Sequence, residues 1–205
     1  MRSAAGQCSI RTVATAPRYW RAAACTGIAV CLFLAPLNSL AQTSTSPEYR
    51  AKANFLANFP SFVDWPASAF ATQQAPFLIC VFGDFSFGTS LAERTHAIDY
   101  QGRRVEVVWV HKESELSLCQ ILFVSRNDPK HYAKVLEAVR GRNVLTVGET
   151  PNFLEAGGAV TFSFQQEAVQ FEINLDAVEE AHLKMSSRLL ALARRVVNKT
   201  AGAKT

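Results

Sequence analysis

One run of six residues constrains this chain more than any other feature. Phe-Leu-Ile-Cys-Val-Phe at 77–82 is continuously apolar and closed by Gly83-Asp84, the signature of a strand buried on both faces. Residues 105–110, 121–124 and 144–147 read similarly. Between the last two, within 129–140, Tyr132, Val135, Leu136 and Val139 recur at helical spacing, and 87–94 offers a shorter helix after the first strand. Strands alternating with helices imply βαβ units and a largely parallel sheet.

The pattern then changes. Val160, Phe162 and Phe164 alternate with Thr161, Ser163 and Gln165, and Val169, Phe171, Ile173 and Leu175 alternate with Gln170, Glu172 and Asn174. Two period-2 strands around Gln166-Glu167 predict an antiparallel hairpin with one covered and one wet face. After it, Asp176 with Glu179 three residues on reads as a capping box, and Val178, Ala181, Met185, Leu189, Leu192 and Val196 step by three or four. That stripe predicts one long C-terminal helix, packed on the sheet or offered to a partner. At the other end Ser46 can cap a helix, Pro47 suits its first position and Glu48 its first turn, while Pro60 ends or kinks it near Phe59. The expected fold is a single α/β domain: a mostly parallel sheet flanked by helices, with a C-terminal antiparallel hairpin and a long C-terminal helix.

Charge is unevenly distributed. Arg2, Arg11, Arg18 and Arg21 precede residue 42 with no acid among them; without those four, the 21 basic residues become 17, balancing 17 acids. The basic segment is followed by an apolar stretch at 22–35 and by Ser39-Leu40-Ala41, which reads as a secretory signal peptide over 1–41, cleaved after Ala41. The alternatives are an uncleaved anchor, for which 22–37 falls short of the ~20 apolar residues needed to span, and a lipoprotein site at Cys31, which the bulky Val30 disfavours. The expectation is export to the periplasm without stable membrane insertion. Residues 42–48 form a lead-in, 49–198 the domain and 199–205 a polar tail.

Cleavage discards Cys8, Cys25 and Cys31 and leaves Cys80 and Cys119. In an oxidising compartment an even pair points to one disulfide, worth about 3–4 kcal/mol in the chain-entropy picture if the Cα atoms lie within ~7 Å. Two buried thiols are the alternative.

Catalytic chemistry finds little support. There is no GxSxG and no CxxC, and the four histidines keep no ligand spacing apart from His111 with Glu113, so neither a catalytic residue, a metal site nor a cofactor is expected. Ser186-Ser187-Arg188 falls inside the expected last helix. A neutral mature chain lacks the basic footprint of a nucleic-acid binder. The loop at 83–88 follows a strand, where α/β folds bind ligands; Gly83, Asp84 and Gly88 mark either a tight turn or a small-ligand crevice.

Several segments together resemble the YfiR/HmsC-like periplasmic proteins: Tyr49-Arg50-Ala51-Lys52-Ala53-Asn54-Phe55-Leu56 ending in Val63-Asp64-Trp65-Pro66, Cys80-Val81-Phe82-Gly83-Asp84, and Cys119-Gln120-Ile121-Leu122-Phe123-Val124-Ser125. The resemblance continues through Gly157-Gly158, Phe171-Glu172-Ile173-Asn174-Leu175 and Ser186-Ser187-Arg188-Leu189-Leu190, about 49–195 in all. It implies a compact, often dimeric α/β domain without enzymatic activity that represses a membrane-bound diguanylate cyclase by binding its periplasmic domain, so that release raises cyclic di-GMP and favours biofilm formation. Cys80 and Cys119 match the family's positions for a pair. A second pair of some relatives would fall in about 154–161, where this chain has no cysteine. Arg126, Glu172 and Asn174 are the expected partner-binding residues, the last two on the wet face of the hairpin.

Overall fold

The Ser46 hydroxyl accepts the Tyr49 N–H at 3.3 Å and Pro47 occupies the first turn, so α1 (Pro47–Asn58) starts inside the expected lead-in. Pro60 ends it as a single 3₁₀ turn, Phe59–Ser61. The computed structural model describes residues 46–83, 85–126 and 131–198; the expected signal peptide, residues 42–45, Asp84 and the polar tail lie outside the described residues. After α1 come β1 (Val63–Asp64), β2 (Phe77–Phe82), α2 (Phe85–Thr95), β3 (Asp99–Tyr100), β4 (Arg103–Val110), β5 (Ile121–Val124), α3 (Tyr132–Val139) and β6 (Leu145–Gly148). The remainder is β7 (Val160–Gln165), β8 (Ala168–Asn174), α4 (Leu175–Glu180), β9 (Lys184–Met185), α5 (Ser187–Leu192) and β10 (Arg195–Val197).

The main sheet runs β10-β8-β7-β6-β5-β2-β4-β3. Its centre is parallel from β4 through β7, β7 and β8 form the expected antiparallel hairpin, and β3 adds antiparallel to β4. The continuous apolar runs are the strands covered on both faces. Ile79, Val81, Ile121, Phe123, Leu145 and Val147 point to one core, with Leu56, Phe59, Phe87 and Leu91 from α1, its 3₁₀ extension and α2. Cys80, Leu122 and Val124 point to the opposite core, against Val135, Leu136 and Val139 of α3. Alternation therefore exists in these strands but separates two apolar layers rather than oil from water. Each fully buried aliphatic or aromatic side chain contributes about 1.5–3 kcal/mol relative to exposure.

The long C-terminal helix is not formed. The chain breaks after α4 because His182 adopts φ +56°, its N–H donating to the Glu179 carbonyl at 2.9 Å and the Leu183 N–H to the Val178 carbonyl at 3.1 Å. These two bonds make a Schellman stop. Lys184 and Met185 then pair antiparallel with Asp64 and Val63, Ser186 caps α5 by accepting the Leu189 N–H at 3.3 Å, and Arg195–Val197 joins the sheet parallel to β8. Of the expected stripe, Val178, Ala181 and Leu189 are buried, whereas Leu192 and Val196 are exposed. Ser186 is thus a cap and not a mid-helix residue. Nor is Asp176 the cap of α4: the Asn174 side-chain oxygen accepts the Ala177 N–H at 3.4 Å.

Candidate functional site

Lys52 lies one helical turn after Glu48 on α1, so their side chains meet, with Nζ 2.5 Å from Oε1 of Glu48. The same ammonium group donates to Oε2 of Glu149, the first residue after β6. Parallel neighbours end side by side, so Arg126, just beyond β5, arrives at the same place. Its backbone N–H donates to Oε1 of Glu149 at 3.1 Å and its guanidinium reaches Glu48 at 2.5 Å. Two cations and two carboxylates thus close a ring in which the Lys52 and Glu149 side chains are only 2% and 1% exposed. Burial pushes the Glu48 carboxyl up, but Lys52 and Arg126 outweigh this and hold it below its ordinary value. Burial likewise works against the Arg126 charge, yet Glu149 and Glu48 raise its pKa further.

The ring forms one wall of a cavity of about 440 Å³. The opposite wall is the polar face of the hairpin, including Thr161, Ser163 and Glu172, together with Arg194, just before β10, and Arg195, its first residue. Arg195 donates to Glu172 at 2.5 Å, fixing β10 against β8 by charge as well as by backbone pairing. A separate apolar groove of about 300 Å³ runs between α1 and α5, bordered by Phe55 and Leu192.

The structure unites two of the three expected partner-binding residues. Arg126 and Glu172 both line the cavity. Asn174 does not face solvent: it is 7% exposed, its amide nitrogen donates to the Leu154 carbonyl at 3.2 Å and its oxygen caps α4. Alternation assigned it to the wet face, but as the last residue of β8 it turns into the helix and becomes structural. The expected crevice residues sit elsewhere. Gly83, at φ +109°, ends β2 with its α-carbon so close to Ser125 that an added Cβ would lie 3.0 Å from the serine Cβ. Gly88 packs under the Trp109 indole, where a Cβ would meet the ring at 2.4 Å, so that face is filled by protein. Asp84 lies outside the described residues.

Lys52, Glu149, Thr150 and Arg194 escaped the sequence reading. The spacing of Glu48 and Lys52 was a visible signal for a helical pair. Nothing local marks Glu149 as their partner, 97 residues from Lys52.

A family model described as YfiR/HmsC-like matches residues 49–194. The chain belongs to the YfiR/HmsC-like family. Like the expected pair, Cys80 and Cys119 form a disulfide in this YfiR/HmsC-like domain, with Cα atoms 5.8 Å apart, tying β2 to the residue before Gln120 and β5. Within 154–161, which holds no cysteine, Leu154 and Thr161 line the cavity. Among solved structures, the YfiR/HmsC-like chain is similar to a conserved domain protein from Vibrio cholerae, at 10% identity and a TM-score of 0.48, covering 73% of this chain and 60% of that one. It is also similar to an ABC domain in complex with L-Trp from Streptococcus pneumoniae, at 12% identity and a TM-score of 0.48, covering 72% and 60%. The chain spans about 60% of the length of each of these two structures. No helix among the described residues is long and apolar enough to cross a membrane.

Proposed function

We propose that this chain is a periplasmic, non-enzymatic regulator that binds the periplasmic domain of an inner-membrane diguanylate cyclase, holds it inactive, and so lowers cyclic di-GMP and biofilm formation. The observation that carries this reading is the family match over 49–194, which takes in nearly the whole described domain. The physics asks little of the protein beyond a surface: preferring the inactive cyclase tenfold requires about 1.4 kcal/mol of differential affinity and no reacting group. Arg126, half-exposed at the ring, and Glu172, on the opposite wall of the same cavity, supply charge to that surface. Asn174 has no part in it.

The test is cellular cyclic di-GMP in the native host. Deletion of the gene raises it, complementation restores it, and an Arg126→Glu protein that accumulates normally fails to complement. Unchanged cyclic di-GMP in the deletion strain across growth conditions defeats the proposal, whatever the variants do.

A further inference from the structure

The cavity beside the ion-pair ring has binding capacity that its own side chains leave unused. We infer that it is a site for a small organic anion, a molecule bearing a carboxylate or phosphate group, gripped by Arg194 with help from Thr150 and the open edge of β7.

Place and size fit such a ligand. The cavity opens beyond the C-terminal ends of β5 and β6, the end at which open α/β sheets bind small molecules, and about 440 Å³ lies within the range of small-molecule sites.

The pairing of charges selects the class. Glu48 and Glu149 are held by Lys52 and Arg126, and Glu172 by Arg195, which also stands 4.0 Å from Glu155. Each carboxylate in the wall is thus engaged by a cation. Arg194 differs: its backbone N–H donates to the Phe171 carbonyl at 2.9 Å, but its guanidinium has no ion pair or hydrogen bond among the described residues. A free guanidinium offers a planar fork of donors matched to carboxylate or phosphate oxygens.

Two further features point the same way. Thr150 lines the cavity at 7% exposure, and its hydroxyl has no hydrogen-bond partner, an exception among buried polar groups that marks a missing one. The sheet also splits here. β6 pairs with β7 only at Val147 with Val160 and Gly148 with Thr161, whereas β7 continues to Gln165 against β8. Residues 162–165 therefore line the cavity along an edge with no strand partner among the described residues, and its N–H groups can serve ligand oxygens.

The inference does not rest on the cyclase reading, since it is tested on the purified protein alone. Inorganic phosphate and succinate are titrated separately at constant ionic strength, with backbone amide shifts as the readout. At least one saturates with a dissociation constant below about 10 mM, moving residues 150–155 and 162–165, and the probe that saturates identifies the anionic group. Arg194→Ala, at an exposed position, weakens that binding at least tenfold, Arg194→Lys less, and Thr150→Val several-fold without touching the arginine. Arg104→Ala, a similarly exposed arginine away from the cavity, changes nothing. Absence of saturation by both probes, or equal affinity in Arg194→Ala and the parent protein, overturns the inference.

Discussion

The centre of the sheet and the place where it splits treat the same structural problem in opposite ways. β5 and β6 are buried at every position; β5 satisfies both faces with aliphatic and aromatic side chains, β6 adds Leu145 and Val147 on one face and Thr146, whose hydroxyl accepts the Ala159 N–H, on the other, and the disulfide lies within the α3-side core. A few residues further along the same two strands, Glu149 is buried as deeply, but what covers it is Lys52. The first arrangement stabilises through area removed from water; the second desolvates two charges whose attraction returns little more than the desolvation they suffer. Burying a charged pair adds little stability over an apolar pair of similar volume. What it adds is intolerance of single changes, and a fixed position for the polar rim around the cavity.

The largest effect that separates the two regions comes from opening the buried pair. Lys52→Met leaves Glu149 in the interior with only Arg126 nearby, its Nε 3.7 Å away, and is expected to destabilise the domain by about 3–5 kcal/mol in denaturant unfolding. Lys52→Met combined with Glu149→Leu recovers most of that loss. A double variant as unstable as the single one means that the pair contributes net stability, and the contrast between the two regions then disappears.

On the apolar side, Cys80→Ala with Cys119→Ala removes a crosslink between residues 39 apart, for an expected loss of about 3–4 kcal/mol. This loss should add to that of Lys52→Met within about 0.5 kcal/mol, because the two sites share no partner. A clearly non-additive combination would show that the ring and the disulfide core behave as one unit.

An intermediate effect belongs to the loop that joins the regions. The Phe153 ring lies between Gly148 and Gly158; a Cβ on either would come within 2.5 Å or less of it. Gly158→Ala is expected to cost about 1–3 kcal/mol by overpacking, and Phe153→Leu in the same chain to restore part of it, measured by the unfolding midpoint. Because Leu154 and Glu155 follow Phe153 into the cavity wall, amide shifts in 150–155 should move in Gly158→Ala while those of β5 stay in place.

The same division governs how much could be read from the sequence. The parallel strands were legible because a strand covered on both faces has to be apolar throughout, and the hairpin because its two faces differ. The first helix was legible because Ser46, Pro47 and Pro60 act through local sterics and hydrogen bonds. What failed were elements decided by distant partners. The C-terminal stripe has the helical period, yet Lys184 and Met185 are claimed by Asp64 and Val63, more than a hundred residues away, and 195–197 by the nearer β8, and periodicity reports neither pairing. His182 in a left-handed conformation gave no glycine signal at the stop. Of the candidate site, Arg126 was picked out by its place just after a buried strand and Glu172 by alternation, and both line the cavity; Asn174 was misplaced because alternation holds only until a strand bends into its cap. Lys52 reads as a solvated helix residue until Glu149 is brought over it.

The smallest effect tests the rim of the ring. Glu48 has a carboxyl pKa below its ordinary value of 4.5, so it binds its proton more weakly in the folded chain than in the unfolded one. Its stabilising share is therefore complete above about pH 4.5 and is lost as the pH falls through the lower, folded value. Glu115, held down by the N–H groups of His111 and Lys112, acts with the same sign at a half-buried surface site, so some acid sensitivity remains whatever happens at the ring. Glu48→Gln should flatten the fall in unfolding midpoint between about pH 5 and pH 3 while leaving the value at pH 7 slightly lower, since the glutamine still accepts a hydrogen bond from Lys52 but lacks the charge. An acid limb as steep as that of the parent chain would assign the sensitivity to the surface carboxylates, and would leave the buried pair, not the ring as a whole, as the unit that distinguishes this end of the sheet from its centre.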